Sequence, residues 1–175
     1  PARPLRAPGA PFRMLSVGRL VEKKGFDRLI DALALLPDTL DWEWVHIGGG
    51  ARDGVMRAQA QARGVAGRSV WRGACDQPEV ITAMRAADLF VLPSRIAQDG
   101  DRDGLPNVLM EAASQRLPLL STPVSAIPEF VETEVHGILS DDAPAALCAA
   151  MMRLAEDPAL AHRLAENAYA RLTSD

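Results

Sequence analysis

Short apolar runs alternate along the chain with stretches in which apolar residues recur three or four positions apart. Met14–Val17, ending at Gly18, reads as a buried strand. After Phe26 the apolar positions Leu29, Ile30, Leu33 and Leu36 keep helical spacing until Pro37, which predicts a helix over 26–36. The same reading predicts strands at Trp42–Ile47, Ser69–Trp71, Leu89–Leu92, Leu117–Ser121 and Ile138–Leu139. Helices are predicted at 54–63, 78–87, 106–114, 127–132, 145–156 and 159–172, with Pro78 in a first turn, where its missing N–H costs nothing. Apolar strands that alternate with helices imply a parallel sheet covered on both faces. The fold expected is α/β, a Rossmann-like doubly wound sheet of five or six strands. Ligands of such sheets sit beyond the carboxyl ends of the strands, so the loops at 18–25, 48–54, 72–78, 93–106 and 122–128 carry the candidate chemistry.

Composition narrows the class. At 175 residues, 48% hydrophobic and 24% charged, the chain has the material for one ordinary core. A net charge of −4 argues against a nucleic-acid binder, which needs a clustered Lys/Arg surplus. Cys75 and Cys148 stand in no metal or redox spacing and read as plain thiols of a reducing compartment. The most apolar run, Ala143–Met152, is too short for a bilayer span, and no signal peptide is expected. A cytoplasmic domain is expected. Residues 1–12, with prolines at 1, 4, 8 and 11, read as an interdomain linker and 13–175 as the domain proper. Pro1 at the start leads us to expect a missing N-terminal domain.

The glycine run Gly48-Gly49-Gly50 fails the dinucleotide spacing, because Asp53 stands where the third Gly is needed; a tight turn or close backbone approach explains it. Asp99-Gly100-Asp101-Arg102-Asp103-Gly104 imitates a calcium loop, but its twelfth position is Met110 and Glu111 comes one residue late. Asp101-x-Asp103 is a two-letter match to a metal-binding pair and no more. His46, His136 and His162 share no ligand spacing and read as structural. The more informative segment is Asp103-Gly104-Leu105-Pro106-Asn107-Val108-Leu109-Met110-Glu111. A Gly-x-Pro turn enters a helix whose first amides, on Asn107, Val108 and Leu109, form an anion site with the helix dipole behind it. Acids on either side, Asp103 and Glu111, suit the hydroxyls of the same ligand. In Gly18–Gly25, Arg19 offers a planar fork and Lys24 a point charge, which together suit a diphosphate.

Taken jointly, Val17-Gly18-Arg19-Leu20, Lys24-Gly25-Phe26-Asp27, Ala87–Ser94, Asp103-Gly104-Leu105-Pro106 with Glu111-Ala112, and Thr122-Pro123 with Ile127-Pro128-Glu129 resemble glycosyltransferase family 4. The resemblance is to the donor-binding, C-terminal half of its GT-B fold, over about residues 13–172. The Gln98–Gly104 insertion resembles the branch that makes bacterial exopolysaccharides of the colanic-acid type. The resemblance implies retaining transfer of a sugar from a nucleoside diphosphate sugar, with UDP the expected nucleotide, no protein-held metal and no cofactor. By it, Arg19 and Lys24 neutralise the diphosphate and Asp103 contacts the transferred sugar. Glu111 holds the ribose hydroxyls. Gly18 and Gly104 to Val108 line the donor, and Gly73 lies near the base. A sugar or lipid-linked glycan acceptor would be bound by the missing half, as would any contact with the inner membrane, and this piece alone would be inactive.

The sequence departs from the family in three places. The first acid is Asp103 where Glu is usual, and Ser125-Ala126 replaces a Gly-Gly pair. Arg116 replaces the Gly that ends the acid-bearing helix; if the backbone keeps its shape, Arg116 must adopt a positive φ. Two other readings fit the residues less well: a nucleotide-sugar epimerase on the same architecture, and a non-catalytic ligand- or calcium-binding module.

Overall fold

The computed structural model describes residues 3–174. Pro1 and Ala2 of the expected linker, and Asp175, lie outside the described residues. Six strands alternate with seven helices: β1 (Phe12–Val17), α1 (Phe26–Leu33), β2 (Trp42–Ile47), α2 (Asp53–Ala62), β3 (Ser69–Trp71), α3 (Gln77–Ala86), β4 (Leu89–Leu92), α4 (Asn107–Ser114), β5 (Leu119–Ser121), α5 (Ile127–Phe130), β6 (Ile138–Leu139), α6 (Pro144–Glu156) and α7 (Pro158–Thr173). The strands form one parallel sheet in the order β3-β2-β1-β4-β5-β6. That is the doubly wound order, with its reversal between β1 and β4. Helices cover both faces, α1 packing on α2 and α6, and α4 on α3 and α7.

The core explains the sequence pattern. All four residues of β4 are buried, as a strand covered on both faces requires. Trp44, Phe26, Phe90, Met14 and Leu15 are nearly or wholly out of water, and each such side chain contributes about 1.5–3 kcal/mol. Several element ends differ from expectation, and a proline accounts for two of them. α1 stops at Leu33, and residues 34–36 close it with tight turns before Pro37, which disfavours helical backbone at the residue preceding it. β5 starts at Leu119 because Pro118 has no N–H for the ladder, although its carbonyl still accepts from Phe90.

The N-terminal segment is anchored. β1 begins at Phe12, one residue inside the range expected to be linker. The Arg3 guanidinium donates to the carbonyls of Met84 (2.9 Å) and Gln115 (3.1 Å), at the C-terminal ends of α3 and α4, where the helix dipoles favour a cation. No described helix is long and apolar enough to cross a membrane.

Candidate active site at the strand carboxyl ends

The β1–α1 and β4–α4 loops leave the sheet at its reversal point and touch through their backbones. Gly25, with φ 72°, begins α1 so close to Pro93 that a Cβ would sit 1.9 Å from the Pro93 carbonyl oxygen. The loops are then stitched together. Arg95 N donates to the Lys23 carbonyl (2.9 Å) and Arg95 Nε to the Glu22 carbonyl (3.1 Å). Gln98 N donates to Glu22 Oε1 (2.9 Å), while the Arg95 guanidinium lies 3.5 Å from Asp27. A one-turn 3₁₀ helix at Glu22–Lys24, read from the sequence only as loop, presents both lysines to the opposite loop.

That presentation decides the charges. Lys24 Nζ pairs with Asp103 Oδ2 at 2.6 Å, and Lys23 Nζ lies 3.3 Å from Asp103 and 3.5 Å from Asp101. Burial pushes the Asp103 carboxyl up, but the two lysines outweigh it and hold the group below its ordinary value. Two residues expected to act separately on a ligand therefore hold each other. The acids of the calcium-like run are committed too: Asp101 and Asp103 face lysines, and Asp99 Oδ1 accepts from the Asp101 amide (2.9 Å). Among the described residues, no three His, Cys, Asp or Glu side chains cluster as a metal site would require.

The other predicted residues lie on the loops after β1, β3 and β4 and in α4. Arg19 is exposed, and its side chain has no hydrogen-bond or ion-pair partner among the described residues. Glu111 is half-buried within α4, and its carboxylate likewise has no ion-pair partner among them. Gly104 and Asn107 are exposed, Leu105 and Val108 pack half-buried against the core, and Pro106 is buried and precedes α4. The anion site is smaller than expected, because Leu109 N–H donates to the Pro106 carbonyl (3.1 Å); the amides of Asn107 and Val108 are what it offers. Gly73 stands at φ 67° with open space around it, and its carbonyl accepts from Gly48 N (2.8 Å). Gly48 in turn abuts the Gly18 carbonyl so closely that a Cβ would lie 2.0 Å from it. The glycine run thus serves backbone approach, and it ties the Gly18 and Gly73 loops together.

Two groups escaped the sequence reading. Lys23, next to the predicted Lys24, bridges both loop acids. His46, read as structural, touches the Gly18 carbonyl through Nε2 (3.1 Å). The signal was present: a histidine in a buried strand, two residues before the glycine run. Arg116 does adopt a positive φ, 55°, as does Ser125 at 54°. The Arg116 guanidinium lies over the Tyr169 ring (4.1 Å) and beside Glu166 (3.3 Å), contacts that offset its backbone strain.

Comparison with known proteins adds a family. Residues 2–171 match the family described as glycosyl transferases group 1. The amylovoran biosynthesis glycosyltransferase AmsK of Erwinia amylovora is 36% identical over 85% of this chain and 37% of its own length. WcaL of Salmonella typhimurium, assigned to colanic acid biosynthesis, is 35% identical over 97% of this chain and 41% of its own. The chain therefore spans less than half the length of these relatives. Among solved structures, Anabaena Alr3699/HepE in complex with UDP-glucose superposes with a TM-score of 0.84 at 25% identity, over 94% of this chain and 44% of that one.

Proposed function

The chain belongs to the glycosyl transferases group 1 family, and from that premise we propose that it is the donor-binding part of a retaining, family 4 glycosyltransferase. It takes a nucleoside diphosphate sugar, with UDP the nucleotide, and serves bacterial surface polysaccharide synthesis by delivering the sugar to a glycan or lipid-linked acceptor held elsewhere in the protein. The observation that carries this reading is the meeting of Lys24 and Asp103 across the β1/β4 reversal point, where doubly wound sheets bind their ligands. The UDP-glucose complex of HepE, on the same fold, supports the choice of ligand.

In this mechanism Arg19, Lys24 and the Asn107 and Val108 amides stabilise the diphosphate as it departs. Fixed positive groups, aimed where negative charge develops, act in a site that excludes water once the protein closes. Lys24 already faces an anion, so donor binding exchanges a carboxylate for a phosphate and frees Asp103 for the sugar. Glu111 holds the ribose hydroxyls and Gly73 borders the base. The charge a metal would bring comes from Arg19, Lys23 and Lys24. The test is calorimetric titration of the chain with UDP, GDP and ADP, each with and without EDTA. Binding of UDP that EDTA leaves unchanged is expected. Absence of binding, or at least tenfold loss on chelation, overturns the reading.

A further inference from the structure

Ser16 and His46 sit opposite each other in register on β1 and β2, both wholly out of water in the middle of an apolar sheet. Trp44 Nε1 lies 2.9 Å from Ser16 Oγ, and Ser16 Oγ lies 2.6 Å from His46 Nδ1. A carbonyl oxygen can only accept, so His46 Nε2, 3.1 Å from the Gly18 carbonyl, carries the ring proton and donates it there. Nδ1 of the neutral ring is then bare and accepts from the Ser16 hydroxyl. The indole N–H can only donate, so Ser16 Oγ accepts from Trp44 in turn. The relay runs one way, Trp44 to Ser16 to His46 to Gly18.

The surroundings fix the ring as well as its proton. Phe26 meets it edge-on at 4.6 Å, and Trp44 and Trp71 stand at 5.8 and 5.9 Å. Burial keeps the imidazole neutral, lowering its pKa to about 4; the Gly18 carbonyl and the negative charge of Asp53 oppose this only in part. At the far end, Gly18 N donates to the Ile47 carbonyl (2.9 Å), so the residue is held on both sides. The Gly18–Arg19 peptide is trans, and in a trans peptide the carbonyl and the following N–H point in opposite directions. A carbonyl drawn inward to His46 turns the Arg19 N–H outward, and that amide has no protein acceptor among the described residues.

We propose that His46 is a positioning residue: by holding the Gly18 carbonyl it directs the Arg19 amide, and the root of the Arg19 side chain, at a phosphate of the donor. The inference rests on the donor site proposed above. Two substitutions separate it from a packing role. In His46→Gln the amide nitrogen reaches the place of Nε2 and keeps the Gly18 contact; in His46→Asn the amide reaches only the place of Nδ1. Titration with UDP should give Gln within about threefold of the parent and Asn at least about tenfold weaker, at thermal midpoints that do not follow that order. Imidazole nitrogen chemical shifts of the unmodified chain give a second readout, independent of variant folding: Nε2 protonated and Nδ1 bare. Proton on Nδ1, or equal UDP affinity in both variants, overturns the inference while the donor site stands. Failure of the unmodified chain to bind UDP overturns both.

Discussion

The two ends of the sheet are built from similar residues with opposite commitments. At the amino end the cations are consumed by the fold. Arg3 closes the carbonyl ends of α3 and α4, and Arg13 lies 3.2 Å from Glu43, its strand neighbour in register. At the carboxyl end Arg19 is exposed without a partner among the described residues, and Lys23 and Lys24 share the acids of a neighbouring loop. The glycines differ in the same sense. Gly9, in the N-terminal segment, has a positive φ of 81° but nothing within 4 Å of a Cβ, whereas Gly25 has a carbonyl oxygen 1.9 Å from it. A left-handed residue in open space marks a turn. One against another loop's backbone marks a place where two segments must meet, and here they meet at the reversal point.

The largest effect expected follows from that contrast. Gly25→Ala combines backbone strain with a clash against Pro93, and should cost about 3 kcal/mol or more. Gly9→Ala keeps only the strain and should cost about 1 kcal/mol. Urea midpoints of the two variants check this, and equal shifts would break the comparison.

Acid should reach the carboxyl end through its buried histidine. The folded-state pKa of His46 is lowered to about 4, and its ordinary value is about 6.5. Between those values the unfolded chain binds the extra proton. The contribution of His46 to stability is therefore complete above pH 6.5 and lost as pH falls to about 4, by about 3 kcal/mol in all. The check is stability against pH for the chain and for His46→Gln, whose curve should lack that segment of the slope.

The acids divide by function rather than by fold. Glu111→Ala should weaken UDP binding by about 1.5–3 kcal/mol, the loss of a charge-assisted hydrogen bond. Asp103→Ala should not weaken binding, because it releases Lys24 to the phosphate; its loss should appear in turnover of the proposed glycosyltransferase. Equal loss of affinity in both would contradict the division.

Much of this architecture is legible in the amino-acid sequence. Strands β2, β3, β4 and β6 fall where the apolar runs place them, because a doubly covered sheet writes itself as near-continuous hydrophobicity. The positive φ of Arg116 is expected from the family resemblance, in which Gly ends this helix. What stayed hidden was pairing across distant loops. No spacing rule tells that Lys24 meets Asp103 or that Arg95 reaches Glu22, since those contacts depend on which strands become neighbours at the reversal point. His46 was hidden for another reason: a buried polar residue is recognised only by the partners that satisfy it, and Ser16 lies thirty positions away.

The contrast between the two ends is tested most directly by measuring UDP affinity and thermal stability together in Arg19→Ala and Arg3→Ala. Arg19→Ala should lose at least about tenfold in affinity with stability unchanged within about 0.5 kcal/mol, since an exposed side chain without a partner supports nothing else. Arg3→Ala should lose about 1–2 kcal/mol of stability through its helix-end carbonyls, with affinity unchanged. Full UDP affinity in Arg19→Ala, or a loss of affinity in both variants that tracks their loss of stability, would contradict the account.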